Sequence, residues 1–158
     1  MKMGIQMEGS LSTFLNKVGG EIERKVTRST AYAGAKIFYE EARLNVPVKS
    51  GTLFDAIYHA YADTLSGEGK QVYRVSWNYS KAPHGHLIEW GHWRTNKVFY
   101  DKNGVFMATS ELLPMPVWVP PRSFIGKAYD AAPRALAAMQ ARSVQRLNEV
   151  IDEASDGS

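Results

Sequence analysis

Apolar residues Val18, Ile22, Val26, Ala33, Ile37 and Leu44 recur near three- and four-residue spacing, the interval that lines one face of an α-helix. Ser10 or Ser12 offers N-cap chemistry, because a Ser hydroxyl accepts a bond from an orphan N–H of the first turn. Gly19-Gly20 weakens the stretch by roughly 1 kcal/mol per Gly relative to Ala and predicts a kink, or a late start at Glu21. Pro47 ends the helix, since the residue before proline is pushed out of the helical region. After Gly51 the period falls to two: Ile57, His59 and Tyr61 alternate with Tyr58 and Ala60. Ser66-Gly67-Glu68-Gly69 supplies a turn, and Gln71, Tyr73, Val75 and Trp77 alternate with Val72, Arg74 and Ser76, which reads as an antiparallel hairpin. A second hairpin is predicted over 97–108, turning at Asp101-Lys102-Asn103-Gly104, because Asn-Gly tolerates the positive φ of a tight turn.

Pro114, Pro116, Pro120 and Pro121 flank Val117-Trp118-Val119, so this piece reads as an edge strand or an extended connector. The last helical region starts at a Ser123 cap and carries Phe124, Ala128, Ala132, Leu136, Met139, Leu147, Val150 and Ile151 on one approximate face. Pro133 suits N1 of a second helix after a short one ending near Ala131, the alternative being one long kinked helix. The expected class is α+β: a long N-terminal helix, a small antiparallel β-sheet of hairpins, and a long C-terminal helix packed on one face of the sheet. The expected organisation is an N-terminal arm over 1–10, one domain over 11–154, and a frayed end over 155–158.

The chain has 158 residues, 44% of them hydrophobic and 22% charged, the balance of a globular domain large enough for a core. With no cysteine, disulfides, thiolate metal sites and cysteine nucleophiles are excluded. No apolar run approaches the ~20 residues of a membrane span, and the first residues lack a secretory pattern, so no membrane partner is expected. The net charge of +3 is spread without a block of like charges. That argues against a nucleic-acid tail but is compatible with non-specific attraction to a phosphate backbone.

Three short motifs stand apart from these patterns. The first is Asn45-Val46-Pro47-Val48-Lys49-Ser50-Gly51-Thr52-Leu53, the second His86-Leu87-Ile88-Glu89-Trp90-Gly91-His92, and the third Pro120-Pro121-Arg122-Ser123-Phe124-Ile125. In this order they resemble the tail-component family of tailed bacteriophages, the neck or tail-completion proteins called gene-product-ten-like. Departures are Lys49-Ser50 in place of an Asp-Thr-like pair, His92 in place of Thr, and Ser123 in place of Pro. The resemblance implies a structural virion protein of the head–tail connection, a neck, tail-completion or tail-terminator protein, with no enzymatic activity and no cofactor. It implies a homo-oligomeric ring, a hexamer by analogy with phage tails, that joins tail to head around the DNA channel. Head-closure or adaptor proteins and the tail-tube protein would be its partners, and the virion neck its location after assembly in the host cytoplasm. Pro47, Gly51, Leu53, Gly91 and Phe124 would then be structural motif positions. Trp90, Trp93, Trp118, Glu89 and Arg122 would serve the subunit or partner interface, with a bidentate Arg122–Glu89 fork as the expected pairing.

Two other functions are open to the residues. His84, His86, Glu89 and His92 are ligand types for zinc or iron and would define a metal-dependent enzyme, although the segment lacks the His-Glu-x-x-His spacing. As a solvated cluster these histidines would instead respond to pH near 6. The basic balance alone favours a DNA-binding accessory protein, but only Tyr73-Arg74 and Trp93-Arg94 pair an aromatic with a basic residue. No nucleophile elbow or phosphate loop is present.

Overall fold

The computed structural model describes residues 8–47, 51–67, 69–103 and 106–156, the side chains of 8–18, 21, 106 and 154–156 excepted. Residues 1–7 of the expected arm over 1–10, the side chains of Ser10 and Ser12, Val48-Lys49-Ser50, Glu68, the Gly104 end of the second turn and the last two residues lie outside what it describes, while the backbone of 8–12 is already helical.

The long first helix, α1, covers Glu8–Asn45 and runs through Gly19-Gly20. A short α2 follows at Thr52–Ala56. Strand β1 (Ile57–Tyr61) pairs with β2 (Tyr73–Trp77). Helix α3 (Gly85–Trp90) leads into β3 (His92–Tyr100), which pairs antiparallel with β4 (Phe106–Val119). Helix α4 (Phe124–Ala128), a 3-10 turn at Tyr129–Ala131 and the long α5 (Ala132–Asp156) complete the chain. The class is α+β. The strands form two two-stranded ladders, β1–β2 and β3–β4, in place of one sheet. Pro133 sits in the first turn of α5, where its missing N–H costs no helical bond.

Contacts divide the chain into two compact units. One comprises 1–37, 60–74 and 133–158. In it Ala35 and Ala135 are buried, and Met139 on α5 lies against Gly34 on α1, leaving no room there for a Cβ without moving the thioether. Arg142 Nε donates to Ser29 Oγ at 2.7 Å. Arg142 and Arg146 both pair with Glu149, at 2.9 and 2.7 Å. These two guanidiniums, Arg146 foremost, hold the Glu149 carboxyl below its usual range. Tyr73 meets Tyr32 and Tyr61 edge-on.

The other unit comprises 38–59 and 75–132. Its core gathers Ala42 and Val46 from the end of α1, Leu53 and Ala56 from α2, Ile57, Ala82, and Phe124 and Ala128 from α4. Phe124 is wholly buried, with Trp77 edge-on at 5.6 Å between ring centres. All three motifs fall in this unit.

The prolines of β4 have a structural reason. His92, Trp93 and Arg94 pair with Val119, Trp118 and Val117, but the next paired position, Asn96, faces Leu112. Residues 113–116 therefore bulge opposite Thr95. Pro114 and Pro116 occupy the stretch where a strand residue has no ladder donor to give. The proline-flanked piece that the sequence offered as edge strand or connector is thus the far end of a strand that began before the bulge.

Candidate functional site

Each motif builds one wall of a junction in the second unit. In the first motif, Gly51 takes φ +76° ahead of α2, a left-handed conformation that costs other residues energy, and its carbonyl accepts from Asp55 N at 2.9 Å. Leu53 then falls into the core. In the second, the short α3 buries Gly85 and Glu89, and Gly91 ends it with φ +74°. A Cβ at Gly91 would lie 2.7 Å from Val119 O and 2.9 Å from Pro121 N, so the approach of the third motif requires the bare backbone.

The third motif and the residue after it, Gly126, are tied to the second by four hydrogen bonds. Arg122 N donates to Ile88 O at 2.8 Å, and Ser123 Oγ donates to Glu89 O at 3.0 Å. The Glu89 carboxylate accepts from Ile125 N and Gly126 N, both at 2.9 Å. Glu89 is 6% exposed, the only buried charged side chain among the described residues. Its cost is offset because both oxygens are bonded and lie at the positive end of α4.

This arrangement corrects two expectations. Ser123 does not cap α4 with its side chain; it takes φ +43°, a value closed to proline, and its hydroxyl is spent on Glu89 O. Glu89 fills the capping role from 36 positions away. The Arg122–Glu89 fork is not made, since the Glu89 oxygens are taken by the α4 amides and the Arg122 side chain is exposed. Sequence reasoning could mark Glu89 as unusual among apolar neighbours but had no signal for an acceptor of distant amides.

Beside the junction lies a cleft of about 410 Å³. Its apolar wall is Pro47, Leu53, Leu87, Ile88, Val119 and Pro120, and its polar groups come from His84, His92 and Arg122, with no acidic side chain among the described residues that line it. The metal reading loses its carboxylate, because both Glu89 oxygens are bonded to amides of α4. Among the described residues no group of three His, Asp or Glu side chains is gathered that could hold a metal ion.

The three tryptophans singled out by the sequence are all exposed, Trp90 and Trp93 by about two-thirds and Trp118 by 46%. Trp93 and Trp118 oppose each other across the β3–β4 ladder with ring centres 5.3 Å apart. Trp90 leans on Trp77 at 6.1 Å. On β3 the exposed face carries Trp93, Thr95, Lys97 and Phe99.

A family model described as "Bacteriophage HK97-gp10, putative tail-component" matches residues 9–91, just over half of the 158. The chain belongs to this HK97-gp10-like family. No curated protein and no solved structure matches it. The matched span runs from α1 to Gly91 and so holds the first motif and Glu89. The third motif lies outside the matched residues but is bonded to them through Glu89. Membership makes the protein a phage tail component, a structural part of the virion. No helix among the described residues is long and apolar enough to cross a membrane.

Proposed function

We propose that this tail component works at the head–tail joint, as a neck, tail-completion or tail-terminator protein that forms a ring around the DNA channel and joins tail to head. The observation that carries the reading is the β3–β4 ribbon, joined to the junction that the family motifs build. A two-stranded ladder is marginal by itself in water. This one exposes Trp93, Phe99, Tyr100, Leu112, Met115 and Trp118, and aromatic and methionine side chains such as these anchor protein interfaces. Heterologous contacts between identical subunits close into a ring when the rotation per subunit closes. The mechanism is geometric: the ring seats the tail and leaves an axial path for DNA, and a net charge of +3 tolerates the passing phosphates. Trp90, Trp93, Trp118 and Arg122 are the proposed contact residues. Glu89 acts on that surface indirectly, by fixing the junction beneath it.

The test is a phage or prophage carrying a deletion of this gene. Electron microscopy of the lysate should show filled heads and tails that fail to join, and purified protein added back should restore joined particles. Joined, infective particles from the deletion would refute the assignment. Native mass spectrometry of the purified protein, alone and with tail-tube and head-closure proteins, gives the ring size, with a hexamer expected.

A further inference from the structure

Ring closure leaves open which surfaces meet. We propose that the β4 segment 111–116 of one copy, which contains the bulge, docks in the Pro47–Leu87–Pro120 cleft of the next copy, with Glu111 facing Arg122. The inference rests on the ring assembly proposed above.

Two features of one chain are complementary. The segment presents Leu112, the last paired residue before the bulge, at 69% exposure and Met115, within the bulge, at 75%, among the most exposed large apolar side chains described. Pro114 and Pro116 stiffen it, so less entropy is lost when it docks. They also remove the N–H groups that strand pairing would need, which leaves side-chain insertion as the way this segment can be covered. The cleft is the converse: it is apolar, it has room for two aliphatic side chains, and its charge is one-sided. Arg122, His84 and His92 line it and, among the described residues, no acid does.

The acid that would complete it stands next to the exposed pair. Glu111 is bonded to Lys97 at 2.7 Å, with both side chains more than half exposed. That pair is screened by solvent and is easily exchanged for a less hydrated one. Leu112 and Met115 stay exposed, so the chain does not fill its own cleft, although His92 and Val119 of the same ribbon form part of the cleft wall. A second copy can fill it. Bulge and cleft are different surfaces, so copies can join head-to-tail through them, the arrangement that ring closure requires.

The absence of cysteine gives a clean test. Leu112→Cys and Pro120→Cys variants, mixed and allowed to assemble under mild oxidation, should give a disulfide-linked dimer of one copy of each. Neither variant alone should give that product. Separately, Glu111→Arg and Arg122→Glu should each lower the fraction of protein in rings at least tenfold at unchanged melting temperature, and the double variant should recover most of it. Rings that form normally in Glu111→Arg, or that yield no mixed disulfide, would overturn the docking contact and leave the ring standing. If Leu112→Cys, carried into assembling particles, crosslinks to another tail protein and not to Pro120→Cys, the contact is likewise overturned and the bulge belongs to a different partner. If no ring forms with any combination of tail components, the ring reading itself fails and this contact fails with it.

Discussion

The junction of α3 with α4 and the β3–β4 ribbon are covalent neighbours in the same unit, and they treat their polar and aromatic groups in opposite ways. At the junction these groups are used internally. Glu89 gives both oxygens to amides, Ser123 its hydroxyl to a carbonyl, and Phe124 its whole surface to the core. In the ribbon, aromatic and charged residues are left outside. Trp93 and Trp118 touch each other but remain largely exposed, and Lys97 and Glu111 form a solvent-facing pair. Residues buried at the junction stabilise this chain. Residues exposed on the ribbon add little to it, and their value lies in what they bind. Stability and assembly measurements should therefore separate cleanly between the two regions.

Phe124→Ala should have the largest effect. Truncating a fully buried Phe costs about 3–5 kcal/mol, a large part of a small domain's stability, and chemical denaturation should show it. A loss near zero would mean that the junction is not the organising core of its unit. Glu89→Ala comes next: it removes two charge-assisted bonds and leaves two amides of α4 without their acceptor, for an expected loss of about 2–4 kcal/mol. Glu89→Gln, which keeps one acceptor oxygen, should lose less. If Glu89→Ala melts like the parent, the cap drawn from α3 is not what holds α4.

Trp118→Ala tests the other side of the comparison. The exposed Trp93–Trp118 pair contributes about 0.5–1.5 kcal/mol, so monomer stability should fall modestly while ring formation or tail joining is lost, read by native mass spectrometry beside a melting curve. Unfolding of the variant would place Trp118 with the junction. Normal assembly would remove the tryptophan pair from the interface. Lys97→Ala should be the smallest change, within about 1 kcal/mol, because an exposed ion pair gains little against solvent and salt. A larger loss that also vanished at high ionic strength would show that the ribbon depends on its charges for folding.

In the α5 helix the sign of a pH effect follows from the arginine cluster. Arg146 and Arg142 hold the Glu149 carboxyl below its ordinary value. The stability this adds is fully present above the unfolded value and is lost as pH falls through the folded one. Glu149→Gln should accordingly flatten the acid limb of a melting-temperature profile and leave the shape of the neutral region nearly unchanged.

Local periodicity determined a great deal. The spacing of Val26, Ala33 and Ile37 is enough for α1, although Leu44, placed on the same face, is exposed, and alternation around Ile57–Tyr61 and Tyr73–Trp77 is enough for the first hairpin, because both patterns act over a few residues. Pro133 marked the start of α5 for the same reason. The ordered motifs carried the family, which depends on residue identity along the chain and needs no coordinates. What the sequence left open involves partners far apart in it. The role of Glu89 depends on amides 36 and 37 positions away, and no local rule says which helix end a buried carboxylate will meet. Charge complementarity suggested Arg122 as its partner. Backbone amides won because they are fixed at the end of α4, whereas a guanidinium on a long side chain would have to give up its hydration to enter the core. The bulge that accommodates Pro114 and Pro116, and the cleft that draws on all three motifs, likewise exist only once β3 and β4 are in register. Register is a property of two strands together, and neither strand's sequence states it alone.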